Sequence, residues 1–306
     1  MQPDSPVKDY LMLHFIVLIW GFTAILGLLI SIPSLEIVFY RTLIATGILG
    51  LMFLWRKTPI RVSQGALLKI IATGFIISLH WVLFFGAARV STASVCLAGM
   101  ATTSLWTALL EPIANKRKVK GFEIFLGLLV IVGLYVIFRF ELDYWLGLLM
   151  AIASAFLSAV FTVINGRFAK QHNPFVLTFY EMFGAFLFSG LLLPFYGYFF
   201  ADEGLQMVPK AMDWLWLILL GGVCTVFAFS VSVELMRRIT AFAVNLTINL
   251  EPVYGIILAV LIFGEKEKMT GGFYLGTLII LVSVLIYPVY NYYLRRKSKG
   301  NKLLRA

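Results

Sequence analysis

The chain has 306 residues, of which 61% are hydrophobic and only 13% are charged, and its formal net charge is +10. Soluble domains carry about a quarter charged residues, so this composition leaves too little polar surface for a water-soluble protein. An all-α polytopic membrane protein in a lipid bilayer is the class that fits. Cys96 and Cys224 lie in apolar segments and form no spacing motif for a disulfide framework or a metal site.

Ten apolar segments are long enough to be transmembrane helices, because a helix needs about 20 apolar residues to cross a hydrocarbon core of about 30 Å. No small-residue cleavage signature follows the first, so it is expected to be a retained span rather than a signal peptide. The short connections leave no room for a separate soluble domain. The predicted spans are 11–31, 35–55, 67–87, 92–113, 121–139, 144–164, 175–198, 213–233, 241–263 and 270–292.

The basic residues are distributed unequally between the two sides of these spans. Nineteen of the 25 Lys and Arg fall on the side that holds the N-terminus, the even-numbered loops and the C-terminal tail. Because cytoplasmic loops are enriched in Lys and Arg, both termini are predicted to be cytoplasmic. The positive charge is therefore interpreted as a topology signal, and no nucleic-acid partner is expected.

Sequence similarities between the two halves indicate an internal repeat. The segment "VFYRTLIA" (38–45) resembles "TFYEMFGA" (178–185), and "FLGLLVIVGLYVI" (125–137) resembles "YLGTLIILVSVLI" (274–286). Five spans per repeat is an odd number, so the second half enters the bilayer from the opposite side. That arrangement is the inverted repeat typical of secondary transporters. The predicted repeats are 1–143 and 144–306.

The repeat also fixes the depth of two Glu-Pro pairs. Thr92 and Thr240 enter the fourth and ninth spans as equivalent residues, 148 positions apart. In that register Glu251 lies at mid-depth, whereas Glu111 lies near the cytoplasmic end of its span. Glu111 and Glu234 stand beside basic clusters and are interpreted as surface-paired acids.

The segment around Glu251 concentrates polar groups at a depth where they are costly, since an ionisable group at the bilayer centre costs at least about 2.5–3.5 kcal/mol. On a helix, Thr247 and Glu251 share one face, and Asn245, Asn249 and Pro252 share a neighbouring one. Pro252 is predicted to kink the helix and act as a hinge. We interpret these residues as one side of a binding cavity. A structural Glu251, hydrogen-bonded across helices, is the alternative.

Arg41 and Glu181 are repeat mates, each the seventh residue of its predicted span. Arg41 is a candidate clamp for a substrate carboxylate, or it extends outward beside Glu36. Glu181 is a candidate cytoplasmic-side gate or proton carrier. The alternative for Glu181 is an interfacial acid paired with Arg167 or Lys170.

His80 lies in the outer half of the third span, where it could titrate during a transport cycle or make a structural hydrogen bond between helices. Gly272 and Gly276 form a GxxxG spacing that permits close helix packing. Several aromatic residues are candidates for lining a cavity, with packing or an interfacial belt as the alternative. They are Trp20, Tyr40, Trp81, Trp106 and Tyr180.

An ordered set of segments spans nearly the whole chain: "LIWGFTAI", "PSLEIVFYRTLIATGIL", "LSAVFTVINGRFAK", "NLEPVYGIILAVLIFGEKE" and "GFYLGTLIILVSVLI". Together they resemble the EamA-type branch of the drug/metabolite transporter superfamily. The fourth span departs from that pattern, because "NKRK" replaces the usual glycine–glutamate ending. The resemblance implies ten helices in an inverted repeat and export of small metabolites such as amino acids.

The predicted function is a secondary active transporter that works by alternating access around a central site, without a cofactor, in the bacterial inner membrane. Glu251 would bind a cationic group of the substrate or a coupling proton. A passive channel or a receptor is the alternative. An enzyme is disfavoured, since the chain has no HExxH, no G-x-S-x-G and no Asp within a span interior. Monomer and homodimer both remain open.

Overall fold

The computed structural model describes residues 7–118, 121–140, 142–201, 204–248, 250–267, 269–283, 286 and 290. Within these residues the regular elements are helices, and no strand occurs. The hydrocarbon core of a bilayer offers no water to backbone polar groups, and a helix pairs its N–H and C=O groups within one segment. Short 3₁₀ turns cover Leu142–Tyr144 and Gly264–Glu267. The helices are α1 (Val7–Leu29), α2 (Ser34–Arg56), α3 (Gln64–Val90), α4 (Ala93–Ala114), α5 (Gly121–Phe140), α6 (Trp145–Phe168), α7 (Pro174–Phe199), α8 (Ala211–Leu235), α9 (Ala241–Ile248 and Glu251–Phe263) and α10 (Gly271–Ser283).

Eight of these helices are long and apolar enough to cross a membrane, namely α1–α4 and α6–α9. The shortest has 22 residues, which at 1.5 Å per residue spans about 33 Å and exceeds the hydrocarbon core. At the predicted fifth and tenth spans the apolar helical stretches of the described residues are shorter, Ile124–Ile137 and Gly271–Ser283. The chain is therefore an integral membrane protein with eight candidate spans and two shorter apolar helices.

Helices α4 and α9 are each interrupted at mid-length. In α4 the break follows Met100, and the helix restarts at Thr103. In α9 the first half ends at Ile248 and the second begins at Glu251. Pro252 therefore lies in the first turn of a new helix, where its missing N–H removes no helical hydrogen bond. The predicted kink is thus a break between two helical halves.

Both interrupted helices begin with a threonine cap. The Thr92 hydroxyl accepts a hydrogen bond from the Val95 amide at 3.1 Å. The Thr240 hydroxyl accepts one from the Ala243 amide at 3.1 Å. Such caps satisfy an amide that the start of a helix leaves unpaired.

Helix α3 lies against α6 and α7, and α4 lies against α6 and α9. Glycines allow the closest crossings. A Cβ on Gly74 of α3 would overlap the Glu181 carbonyl of α7, and one on Gly184 of α7 would overlap the Ile71 carbonyl of α3. The backbones of α3 and α7 are therefore in direct contact at the level of Glu181.

Gly276, the second glycine of the GxxxG spacing in α10, packs within the chain. A Cβ on Gly276 would lie 2.6 Å from Cγ1 of Ile137 in α5, and one on Gly133 would lie 2.7 Å from the Gly276 carbonyl. The close approach therefore joins α5 and α10 of the same molecule.

Candidate functional site

A cavity lies between α1, α2, α3, α4, α6, α8 and α9. Two opposite charges face it, Arg41 from α2 and Glu251 from the start of the second half of α9. Aromatic rings form much of the remaining wall. Four hydroxyl side chains and the His80 ring complete the polar lining. The rings belong to Trp20, Trp81, Phe84, Phe161 and Phe229, and the hydroxyls to Thr23, Ser158, Thr162 and Ser232.

Arg41 is held in place by two contacts. Its Nε donates a hydrogen bond of 2.7 Å to the Thr225 hydroxyl of α8. Its Cζ lies 3.7 Å from the centre of the Trp81 ring of α3, in cation–π geometry. Its terminal nitrogens have no hydrogen-bond partner among the described residues and remain available to a bound anion.

Thr225 belongs to an unusual part of α8. Residues Leu219–Phe227 form a π-helix, and the Thr225 hydroxyl donates to the Leu220 carbonyl five residues earlier at 2.8 Å. Single π-turns inside α-helices are frequent at functional sites. Here the widened turn presents the hydroxyl that orients Arg41. No sequence pattern singles out Thr225.

Glu251 is 7% exposed and lines the same cavity as Arg41. Within the part of the chain that the structure describes, its carboxylate makes no hydrogen bond and no ion pair. It is near enough to Arg41 for a Coulombic attraction, but it does not touch it. A polar solute between the two groups would find a cationic wall on one side and an acidic wall on the other.

His80 is tied to α6 rather than free in the cavity. Its Nδ1 lies 2.9 Å from the Ser154 carbonyl and 2.8 Å from the Ser154 hydroxyl. That hydroxyl also donates to the His80 carbonyl at 2.8 Å. The ring faces the cavity, and its hydrogen bonds are those of the structural alternative.

Of the five candidate aromatic residues, Trp20 and Trp81 line the cavity. The Trp20 Nε1 donates to the Cys224 carbonyl at 3.0 Å and joins α1 to α8. Tyr40, Tyr180 and Trp106 lie elsewhere. The Tyr40 hydroxyl donates to the Met207 carbonyl at 2.5 Å, and the Tyr180 hydroxyl donates to the Ile60 carbonyl at 2.9 Å. The centres of the Trp106 and Phe156 rings lie 5.4 Å apart.

Three other candidates also lie outside the cavity lining. Asn245 Nδ2 donates to the Thr107 hydroxyl of α4 at 2.7 Å. The Thr247 hydroxyl donates to the Ala243 carbonyl of its own helix at 2.9 Å. Glu181 of α7 is fully buried and accepts a hydrogen bond from Asn165 Nδ2 of α6 at 3.3 Å.

Asn249 lies outside the described residues. The predicted alternative partners of Glu181 do not contact it in the described structure. Arg167 donates to Asn115 at 3.5 Å instead, and Lys170 is exposed.

Glu111 contacts the basic cluster, as predicted, but it does not lie at the surface. Its side chain is buried, and Oε2 accepts a hydrogen bond of 2.9 Å from the Phe242 amide at the start of α9. Oε2 also lies 3.6 Å from a guanidinium nitrogen of Arg117. Glu111 is therefore a cross-helix cap, a role that needs tertiary contact and leaves no sequence pattern. Glu234 does pair at the surface, at 4.0 Å from Arg238.

The two ends of the bundle are held differently. We call the end with loops 57–63, 115–118, 169–173 and 236–240 the basic end, and the other the far end. The cavity lining extends to Met236 at the basic end. There Arg238 forms a bidentate pair with Asp9 at 2.9 and 3.1 Å, which raises the pKa of Arg238.

Polar contacts join loops and helices at the far end. Arg89 Nη2 donates to the carbonyls of Gly27, Ile30 and Ile32, at 3.1, 2.9 and 2.5 Å. Asp213 accepts hydrogen bonds from the amide and hydroxyl of Ser31 at 3.0 and 2.5 Å. α1, α3 and α8 are thereby connected beyond the cavity.

Sequence reasoning missed the hydroxyl stripe of α6, although a signal for it exists. Ser154, Ser158 and Thr162 recur at intervals of four in an apolar segment, and this spacing places them on one helix face. Two of the three line the cavity, and the third holds His80.

The helices and the charged cavity define an integral membrane protein with an internal polar site. The sequence profile of the EamA-like transporter family matches the chain twice, over residues 8–139 and 145–287. The chain therefore belongs to the EamA-like transporter family. The matching profile describes a family of transporters rather than a family of enzymes.

Relatives agree with this assignment. An uncharacterized transporter of Archaeoglobus fulgidus is 25% identical over 267 residues, covering 85% of this chain and 90% of the relative. The uncharacterized transporter YxxF of Bacillus subtilis is 23% identical over 285 residues, covering 89% and 85%. For two further uncharacterized transporters, of Archaeoglobus fulgidus and Synechocystis, the match spans about half of the relative, 53% and 46%.

A solved structure shares the fold. It is a protein crystal structure with a TM-score of 0.66 and 18% sequence identity, and the match covers 90% of this chain and 96% of that one. At this identity the likeness concerns the fold alone.

Proposed function

We propose that this protein is a secondary active transporter that exports small metabolites, such as amino acids or related solutes, by alternating access. The observation that supports this most strongly is the pairing of Arg41 and Glu251 across one cavity at mid-bundle. A buried charge without a partner is costly. Arg41 and Glu251 face the same cavity without contacting each other, and this arrangement fits a solute that carries both an anionic and a cationic group.

Arg41 would bind the anionic group of the substrate. Its orientation is fixed by Thr225 and Trp81, so less conformational freedom is lost when a carboxylate binds. A guanidinium also offers two parallel donors to one carboxylate. Glu251 would bind the cationic group, and the aromatic wall would accept an apolar substituent.

The protein would work as two repeats, 1–143 and 144–306, with ten transmembrane helices in inverted orientation. The mid-length breaks in α4 and α9 and their equivalent caps, Thr92 and Thr240, support this arrangement. The loops of the basic end would face the cytoplasm of a bacterial inner membrane, together with both termini. In this orientation the cavity reaches toward the cytoplasm, and the contacts of Arg89 and Asp213 close the outer side.

Rocking of the two repeats would break the Arg89 and Asp213 contacts and expose the cavity to the outside. Interrupted helices beside a mid-membrane site are typical of carriers that move in this way. The break that precedes Glu251 would let the two halves of α9 move separately.

The test begins with purified protein and a thermal-shift screen against a metabolite panel, since a ligand that binds only the folded state raises the melting temperature. Hits then enter proteoliposome counterflow assays. A carrier gives saturable uptake and counterflow. Flux that stays linear with concentration and shows no counterflow would indicate a channel and refute the proposal.

A further inference from the structure

Glu181 is a second buried carboxyl that the cavity does not use. It is the eighth residue of α7, it is fully buried, and it does not line the cavity. Its one polar contact among the described residues is the 3.3 Å hydrogen bond from Asn165 Nδ2 to Oε2. Oε1 of Glu181 is buried without a hydrogen-bond partner.

Asn165 shows the same deficit. It is also fully buried, and its Oδ1 has no hydrogen-bond partner. Two acceptor oxygens are therefore left without a donor on the two side chains that already touch. A buried acceptor without a donor destabilises the folded protein, and more strongly when the acceptor is charged. The Glu181–Asn165 pair therefore lacks one hydrogen that could be donated between these two oxygens.

A single proton supplies that hydrogen. When Oε1 carries a proton it becomes a donor, and Asn165 Oδ1 is an acceptor without a donor on the side chain that already bonds Glu181. A carboxylic acid and a primary amide can form two antiparallel hydrogen bonds, so one proton would satisfy both oxygens and remove the buried charge. A hard metal cation takes about six or more oxygen ligands, and two unpartnered oxygens fall far short of that.

None of the described groups on the neighbouring helices pairs with the Glu181 carboxylate in place of a proton. Of the groups on the elements packed against Glu181, Arg41 of α2 bonds Thr225, His80 of α3 bonds Ser154, and Arg167 of α6 bonds Asn115. Lys69 of α3 and Glu234 of α8 lie at the surface, and Cys224 of α8 is a buried thiol. The described residues form no ion pair with Glu181.

The pair is placed where protonation can affect the cavity. Asn165 follows Thr162, a cavity residue, by one helical turn of α6. The Glu181 backbone touches Gly74 of α3, the helix that carries Trp81 about two turns further on. A proton lost from Glu181 would leave a buried charge that needs water, and separation of α3 from α7, whose backbones are in contact there, would admit it.

We propose that Glu181 and Asn165 form a proton site, separate from the cavity, whose occupancy controls the movement of α3 against α7 and so couples transport to protons. The inference rests on the proposed carrier function, and it assigns the coupling proton to Glu181 rather than to Glu251. The described structure, with Glu181 buried, is the proton-bound state.

Infrared titration of the purified protein tests the site without a substrate. At neutral pH the wild type shows a protonated-carboxyl absorption that disappears as the pH is raised. Glu181→Gln lacks this component, and the matched cavity variant Glu251→Gln retains it. The proposal is overturned if Glu181→Gln gives the wild-type titration, or if NaCl, but not choline chloride, removes the band at constant pH, which would indicate a sodium site.

Asn165→Leu provides a second route should Glu181→Gln not fold. It keeps the carboxyl and removes the amide, so the band stays and moves to the higher frequency of a carboxyl without that hydrogen bond. An unshifted band would overturn the pairing. The fluorescence of the cavity tryptophans should change with the same midpoint as the band, and a change that persists in Glu181→Gln would overturn the coupling.

These outcomes separate the inference from the proposed function. If counterflow depends on Arg41 and Glu251 while Glu181 shows no titration, the carrier stands and the coupling site fails. If Glu181 titrates as expected and no metabolite is transported, the proton site stands and the carrier proposal fails.

Discussion

Replacing Thr225 by valine removes the oxygen that accepts the hydrogen bond from Arg41 Nε at 2.7 Å. Valine has nearly the same shape, so packing in the fully buried position is preserved. A hydrogen bond to a charged group contributes about 1.5–3 kcal/mol. If that energy holds the guanidinium ready for the substrate, Thr225→Val should weaken binding by about 10- to 150-fold.

Thr42→Val is the matched control, because Thr42 lies beside Arg41 on the same helix and is equally buried. Its hydroxyl donates only to carbonyls of its own helix, Val38 at 2.8 Å and Phe39 at 3.0 Å. The assay is counterflow of a screened substrate in proteoliposomes, over a range of concentrations. Equal half-saturation concentrations for Thr225→Val and Thr42→Val would refute the orienting role of Thr225.

Three further predictions concern stability, measured by thermal unfolding in detergent. Gly184→Val should lower the free energy of unfolding by about 1–3 kcal/mol through overpacking. Gly47→Val is the control and should lower it far less, because no atom lies within 4 Å of a Cβ at that position. Equal effects of the two variants would refute the close crossing of α3 and α7. Asp9→Asn should lower stability by about 0.2–1 kcal/mol, since Arg238 is partly exposed, and the difference should shrink in high salt; a salt-independent difference would count against the ion pair. Glu111→Ala should cost about 1–3 kcal/mol, because it removes the buried carboxylate that accepts a hydrogen bond from the Phe242 amide. An unchanged melting temperature would exclude that cap.

Composition and span length predicted what depends on the bilayer alone. Long apolar runs must be helical in lipid, and eight of the predicted spans lie close to their predicted bounds in the structure. The other two, α5 and α10, are apolar helices as predicted, but their described apolar stretches are shorter than a membrane span. The predicted repeat register assigned Glu251 and Glu111 to different depths, and the register itself stays a prediction. In the structure Glu251 lines the cavity, whereas Glu111, near the end of α4, accepts a hydrogen bond from the start of α9.

Side-chain partners could not be predicted, because they depend on which helix faces which. Asn245 looked like a cavity residue from its helical face, yet its amide bonds Thr107 across to α4. The π-turn that presents Thr225 has no recognisable sequence pattern. The unsatisfied oxygens of Asn165 and Glu181 become visible only when both side chains are seen to be buried together.

Counterflow by Arg41→Gln and Glu251→Gln tests most directly whether the charged cavity is the substrate site. Glu234→Gln is the matched control, since Glu234 is an exposed acid at the basic end. We predict saturable counterflow for the wild type and Glu234→Gln, and at least a tenfold higher half-saturation concentration for each cavity variant. Wild-type counterflow by folded Arg41→Gln and Glu251→Gln would contradict the assignment of this cavity as the transport site.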